Sequence, residues 1–390
     1  MSATSRKYFA FLIVYLGILS AFGPFVIDMY LPALPEMTRV FDCDAMQMQL
    51  GLTFCMVGLA AGQLLFGPAS DNYGRRPILI YTLMIFIAAT VVCCLSDSIE
   101  IFLAARFLQG IGGAGGIVLS RSIATDLFSG RELDRTITTL SAINNIAPVV
   151  APVVGGAVAQ VWGWKSIFVL LLVLGVALAF LCVPLKESLE KSKRISGNFA
   201  NSLKGYAMAL SVKGFGRYCI LYALAMASLF AYISSTSFIV QGIFGLSTLE
   251  FSLVFAINAI ALAIGSSLSI RFRTMSLAAT TGTLVGAAIS LVALLVVAFY
   301  TCDLILYELF TLALLISVGL IMTSSTAAAM ARGRESAGAA SALIGGIGFV
   351  AGGLVSPLIG NGDILMQSFV LCFIFLALGC ILTYGRRREA

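Results

Sequence analysis

The sequence predicts an all-α membrane protein of twelve transmembrane helices in two pseudo-symmetric six-helix bundles. Three observations predict it: the composition, the spacing of the apolar segments and the placement of the basic residues. Of 390 residues, 60% are hydrophobic and 11% are charged. Soluble domains carry roughly 45–50% apolar and about 25% charged residues. A soluble core cannot hide such an excess, because burial saturates as domains grow. A bilayer can, since each spanning helix takes about 20 apolar residues.

The apolar segments fall at 8–34, 46–68, 77–96, 99–126, 136–160 and 163–184, here spans 1 to 6. Six more, spans 7 to 12, lie at 215–241, 249–270, 276–300, 303–330, 337–360 and 363–385. Between the sets runs a polar stretch with Lys186, Lys191, Lys193, Arg194, Lys204 and Lys213. The expected organisation is an N-terminal bundle (1–185), a cytoplasmic linker (186–214) and a C-terminal bundle (215–390).

Alternate loops test this count, because cytoplasmic loops collect Lys and Arg. With both termini inside, 20 of the 24 basic residues fall on the cytoplasmic side, among them Arg75, Arg76, Arg131, Arg135, Arg271 and Arg273. Arg39 and Lys165 fall outside, and Arg106 and Arg121 lie within span 4. The net charge of +6 is therefore a signature of topology, and no nucleic-acid partner is expected. The first apolar run is too long for a signal-peptide core and lacks an A-x-A exit. The expected location is a bacterial inner membrane.

Several chemistries are excluded. The chain has no histidine, which removes His-based proton relays, His-containing zinc sites and Ser-His-Asp catalysis. The nine cysteines are scattered, mostly inside apolar runs, without a C-x-x-C pair, as small core residues are. Gly110-x-Gly112-x-x-Gly115 spells a dinucleotide fingerprint, but that motif needs a strand before it and a helix start after it. These glycines sit in mid-span, where close packing through Gly112-x-x-x-Gly116 is the better account. Neither a Walker A sequence nor the clustered intramembrane acids of an enzyme is present, and no stretch is long enough for a sensor domain.

The halves echo one another. Pro148, Pro152 and Gly155-Gly156 in span 5 are matched in span 11 by Gly345-Gly346, Gly352-Gly353 and Pro357. Duplicated halves around a midplane site are a transporter arrangement.

The loop after span 2 reads Gly67-Pro68-Ala69-Ser70-Asp71-Asn72-Tyr73-Gly74-Arg75-Arg76-Pro77. It resembles the G-x-x-x-D-x-x-G-R-R signature of the major facilitator superfamily. Glycine suits close helix approach and a tight turn, and Asp71 stands beside two arginines. Asp126, at the same end of span 4, can pair with Arg75. In that family the cluster is a conformational gate that meets the start of helix 11, here near Ser336.

Arg106-Phe107-Leu108-Gln109-Gly110 resembles the superfamily's R-x-x-Q-G motif. A lone arginine in a span costs at least about 2.5–3.5 kcal/mol, so it should face a partner or a watery cavity. Arg106 lies ~12 Å from the outer end at 1.5 Å per residue, too deep for easy snorkelling. Span 5 carries Pro148, Pro152, Gly155 and Gly156 and is similar to the antiporter motif G-x-x-x-G-P-x-x-G-G, with alanines at two glycine positions. In span 1, Asp28-Met29-Tyr30-Leu31-Pro32-Ala33-Leu34-Pro35 resembles the bicyclomycin- and chloramphenicol-resistance branch of drug/proton antiporters.

Asp28 is the acid of span 1, ~10 Å below its outer end and level with Arg106. A carboxyl poised between burial and a nearby cation can exchange a proton during a cycle. The expected pair is Asp28 as proton carrier with Arg106 as its partner. Glu308 in span 10 is a possible second acid, or an interfacial residue near Asp303. Tyr30, Gln109, Asn144, Asn145, Tyr232, Asn258 and Gln367 are candidate cavity residues.

The resemblance implies proton-coupled export of small, mostly hydrophobic compounds by alternating access, with a specific metabolite or siderophore as the alternative cargo. The implied partners are a small-molecule substrate, protons and membrane lipid. The expected form is a monomer with no cofactor or metal, the proton being the coupling ion.

Overall fold

The computed structural model describes residues 3–194, 206–300, 302–334, 337–360 and 362–384. The described residues hold eleven helices long and apolar enough to cross a membrane. A shorter apolar helix, Lys165–Leu181, occupies the place of span 6, so twelve elements stand where twelve were expected. The twelve-span reading of hydropathy therefore holds, with span 2 extended to Tyr73 and span 5 begun at Gly130.

Span 1 is broken. Helix runs from Ala3 to Ser20 and again from Phe22 to Asp28. After Met29 and Tyr30 come one 3₁₀ turn at Leu31–Ala33 and a last helix at Leu34–Val40. The prolines explain the interruption. Pro32 and Pro35 have no N–H to donate, and each disfavours helical geometry in the residue before it. Pro35 then falls in the first turn of the last helix, where a missing donor costs nothing.

Other spans begin where polar residues can cap them. Ser98 accepts from the Ile101 N–H at 3.3 Å, Thr274 from Leu277 at 3.1 Å and Asp303 from Leu306 at 2.8 Å. Ser247 and Glu250 form a reciprocal capping box at the start of span 8.

The chain divides into two compact units: Met1–Tyr30 with Phe54–Asn201, and Leu31–Thr53 with Ser202–Ala390. The division does not follow the two sequence halves, because Leu31–Thr53 belongs with the second unit. Ser237 donates to the Leu31 carbonyl at 2.8 Å and Gln241 to that of Pro32 at 2.9 Å. Thr53 donates to the Gly353 carbonyl at 2.6 Å.

Within the first unit, spans 3 and 4 pack closely, and span 1 lies against spans 4 and 5. Within the second, span 10 packs against spans 7, 8 and 9. Glycine sets the closest approaches. A Cβ built at Gly58 would stand 2.2 Å from the Phe107 carbonyl oxygen, and one at Gly110 would stand 2.1 Å from that of Cys55. The second unit repeats this reciprocal pairing: Gly265 faces the Ile316 carbonyl at 2.0 Å and Gly319 that of Leu262 at 2.1 Å. Spans 2 and 4, and spans 8 and 10, thus meet backbone to backbone.

The glycines of span 4 divide among neighbours. Gly112 and Gly115 admit Phe86 and Thr82 of span 3, while Gly116 admits Leu19 of span 1. Expected close approach at Gly67 is not found. A Cβ there would meet Val118 at 3.9 Å, an ordinary contact, because the spans already touch higher up at Gly58 and Gly62.

Candidate functional site

Arg106 is fully buried. Its Nη2 donates to the Val26 carbonyl at 3.0 Å, and its Nη1 donates to Gln109 Oε1. Gln109 in turn donates to Thr90 Oγ1 at 2.9 Å. The guanidinium lies 4.3 Å from the centroid of the Tyr30 ring and 5.9 Å from that of Phe168. These contacts suit a delocalised planar cation, which stacks on aromatic faces as well as donating.

The reason Arg106 turns to Val26 is the break in span 1. Val26 is among the last four residues of the Phe22–Asp28 helix, whose carbonyls a helix end leaves without intrahelical donors. A cation is also favoured at that negative end of the helix dipole. Arg106 therefore caps an interrupted helix from a neighbouring one.

This corrects the expected ion pair. Asp28 is buried, yet among the described residues no ion pair or hydrogen bond links its carboxyl to Arg106 or to any other side chain. Nη1 and Nη2 of Arg106 are taken by an amide oxygen and a carbonyl and its face lies over a ring, while Nε is buried with no hydrogen-bond partner among the described residues. Asp28 and Arg106 lie in the same unit, and Val26, which accepts from Arg106, shares a helix with Asp28.

Span 5 supports the break from the other side. It runs as one helix from Gly130 to Trp162 through Pro148 and Pro152. Gly155 faces the chain at Met29, and Gly156 and Pro152 are buried beside it in sequence. Asn144 is half-buried; the side chain of Asn145 lies outside the described residues.

The basic end of the first unit holds an ion cluster. Arg75 Nε donates to Asp126 Oδ2 at 2.9 Å, and Nη1 to Asp71 Oδ1 at 2.5 Å and Ser70 Oγ at 2.6 Å. The expected Arg75–Asp126 pair is thus present. Ser188 adds a donor to Asp126 at 2.9 Å. Arg76 reaches the carbonyls of Cys182 at 3.4 Å and Val183 at 3.1 Å, at the end of span 6. Gly74 has φ of 102°, a conformation natural to glycine, and precedes the first helical residue of span 3. Ser336, named as the expected start of helix 11, lies outside the described residues.

One member of this cluster was not foreseen. Glu187 accepts the backbone N–H groups of Arg75 at 2.9 Å and Arg76 at 3.2 Å, and pairs with Arg194 at 3.7 Å. It caps the start of span 3 with a carboxylate, as the dipole favours. In sequence it stands in a linker read for its lysines, more than a hundred residues from Arg75 and Arg76. An acid directly after Lys186 in a basic stretch was the available signal.

Glu308 and Asp303 have different partners. Asp303 is taken up by the cap of span 10, whereas Glu308 Oε2 accepts from Asn258 Nδ2 at 2.9 Å. Tyr232 belongs with this second set, and Tyr30 and Gln109 with the first. The cavity candidates thus fall into one group in each unit. Gln367 accepts from the Gly360 N–H at 3.3 Å and serves the turn before span 12. A separate apolar groove, lined by Leu65, Tyr81, Val92 and Leu108, contains none of these polar groups.

Residues 16–357 match the family model of the Major Facilitator Superfamily, and the chain belongs to that family. It is 36% identical to an uncharacterized MFS-type transporter of Bacillus subtilis (strain 168), YdgK, over 96% of this chain and 94% of that protein. It is also 30% identical to a bicyclomycin resistance protein homolog of Haemophilus influenzae, over 90% of this chain and 88% of the relative. Among solved structures, the fold is similar to a bacterial homolog of the human lysosomal transporter Spinster, with a TM-score of 0.78 at 16% identity. That alignment covers 100% of this chain and 98% of the other.

Proposed function

We propose that the protein is a proton-coupled exporter that moves small, mostly hydrophobic compounds out of the bacterial cytoplasm by alternating access. Asp28 carries the proton. The observation that supports this role is a carboxyl buried at a helix break with, among the described residues, neither an ion pair nor a side-chain hydrogen bond. Such a group can take up and release a proton without breaking a structural pair. Arg106 holds the break in place, and Gly155 leaves room for it.

Relatives named for bicyclomycin, chloramphenicol and multidrug resistance support a drug-like cargo. The cluster of Asp71, Arg75, Asp126 and Glu187 acts at the cytoplasmic end as a latch that biases the equilibrium between states. No bound cofactor takes part in this scheme.

The test is transport in reconstituted vesicles under an imposed pH gradient, screened over hydrophobic antibiotics. Wild type should accumulate or expel compound in step with the gradient, and Asp28→Asn should lose uphill movement while remaining folded. Uphill transport by Asp28→Asn at the wild-type rate would remove Asp28 from the proton path. A cargo confined to one metabolite would replace the broad reading with a dedicated exporter.

A further inference from the structure

The two units differ in how they balance their basic ends. In the first, Asp71, Asp126 and Glu187 pair with Arg75 and Arg194. In the second, Lys213 and Arg217 flank the start of span 7, Arg271 and Arg273 close span 8, and Arg332 and Arg334 close span 10. Among the described residues no acid stands at that end. Glu250, Asp303 and Asp363 lie at the starts of spans 8, 10 and 12, which is the opposite end, and Glu335 lies outside the described residues.

The gathering of basic residues on one membrane side accounts for their number. It does not account for where two of them are seated. Arg332 gives Nη1 to its own Ala328 carbonyl at 2.9 Å and holds its guanidinium 4.5 Å from the centroid of the Tyr218 ring. Its Nε lies over Gly214, the residue before span 7, where an added Cβ would stand 3.1 Å from it. Arg217 is the third residue of span 7, and its Nε is buried with no hydrogen-bond partner. Two guanidiniums thus surround a helix start, where the dipole favours an anion. No side chain caps that start, so its first N–H groups also lack acceptors.

The surroundings indicate the kind of anion. A Cβ added at Gly216 would meet nothing within 4 Å, so there is open room beside the first turn. One turn along the same face stands the exposed Ile220, followed by the half-buried Ala223 and Leu224. Ahead of Lys213, a helical stretch at 206–211 buries Ala209 and leaves Met208 and Leu210 exposed. From Gly216 to Leu224 the apolar stripe is ~12 Å long at 1.5 Å per residue. That is most of one leaflet's half of a hydrocarbon core about 30 Å thick. Charge at the helix start with apolar surface running from it matches a phospholipid better than a free ion.

We propose that Arg217, Arg332 and the first turn of span 7 bind the phosphate of an anionic phospholipid whose acyl chain lies along Ile220 and Leu224. Basic pockets between spanning helices hold anionic headgroups, and guanidinium is suited to phosphate. Lys213 adds charge at the rim. The lipid supplies from the membrane the negative charge that Glu187 supplies from the chain at the start of span 3.

The experiment is native mass spectrometry of the purified full-length protein, counting bound phosphatidylglycerol or phosphatidylcholine with the same acyl chains. Wild type should bind phosphatidylglycerol at least tenfold more tightly, a difference of about 1.4 kcal/mol. Arg217→Gln and Arg332→Gln should each reduce that preference to less than threefold. Arg271→Gln removes the same charge from an exposed position at the same end and should leave the preference intact. Gly216→Glu places the chain's own carboxylate in the open room, and should abolish the preference without lowering the unfolding temperature.

A full preference in both Arg217→Gln and Arg332→Gln would overturn the proposal. An equal loss in Arg271→Gln would also overturn it, by assigning the binding to the basic surface as a whole. Displacement of phosphatidylglycerol by millimolar inorganic phosphate would replace the lipid with a free anion. The measurement uses neither a gradient nor a cargo, so its outcome is independent of the proton path at Asp28.

Discussion

Gly155 in span 5 stands directly against the carbonyl of Met29, the residue that follows Asp28. A Cβ at Gly155 would lie 1.8 Å from that oxygen, so backbone must move to admit one. Gly155→Ala should therefore displace the break and cost about 1–3 kcal/mol of stability, as overpacking does. Gly67→Ala, whose added methyl meets Val118 at 3.9 Å, should be tolerated. Thermal unfolding of both variants in detergent, alongside transport, checks the contrast. Equal behaviour of the two would show that the break yields easily.

Replacement of Arg106 should destabilise the protein independently of Asp28. Arg106→Gln removes the donor to the Val26 carbonyl and the ring contact, for about 1–3 kcal/mol. Arg106→Lys keeps a charge but not the fork, and should fall between. In a double-mutant cycle with Asp28→Asn, the stability effects should add to within about 0.5 kcal/mol. A larger coupling energy would restore the ion pair that the geometry lacks.

Glu187→Ala should loosen the start of span 3. Two backbone N–H groups lose their acceptor, and lost caps cost about 0.5–2 kcal/mol. Hydrogen exchange at the Arg75 and Arg76 amides should accelerate, with amides farther along span 3 unchanged. Unaltered exchange at both would mean that solvent or the rest of the linker caps the helix equally well.

Asp126→Asn should be more damaging than Asp71→Asn. The Asp126 side chain is 15% exposed and is also bonded by Ser188, whereas that of Asp71 is 39% exposed. Exposed pairs are screened by salt, and less exposed ones much less. The Asp71→Asn effect on unfolding temperature should fade in high salt while that of Asp126→Asn persists. Identical salt responses would place both acids in the same environment.

Cys43 offers a pH test outside the spans. Burial, then the charges of Asp44 and Asp42, push its thiol above the usual range. The thiolate is the reactive form, so maleimide labelling near neutral pH should be slow and should rise as pH increases. Asp44→Asn should speed labelling at a fixed pH by raising the thiolate fraction. If the rate does not change, the charge of Asp44 has no hold on the thiol.

Hydropathy located the spans because apolar length is written along the chain. The Arg75–Asp126 pair was legible for a related reason, since a basic loop and an acid at one helix end must share a membrane level. Partner choice was less legible. Arg106 and Asp28 agree in depth, but depth says nothing of which acceptor a guanidinium turns toward. The prolines that break span 1 were visible; that they would leave the Val26 carbonyl in need of a donor follows only from the broken helix. Likewise Gly67 belonged to a recognised motif, whereas the tight approaches fell at Gly58 and Gly110, which no short motif joins. Glu308 and Asn258 come together through the packing of spans 8 and 10, at a distance in sequence that no local pattern spans.

The cap that span 4 provides for span 1 has a consequence for biogenesis. The Val26 carbonyl receives its donor from Arg106, eighty residues later in synthesis. Until that residue emerges from the ribosome, the Val26 end of the first span lacks this donor, and an unpaired carbonyl is disfavoured in hydrocarbon. The expected order is that the first span inserts in an incomplete form and is finished by the fourth. A nascent chain arrested before Arg106 should leave Cys55 and Asp28 open to water-borne reagents, and one arrested beyond span 4 should close them.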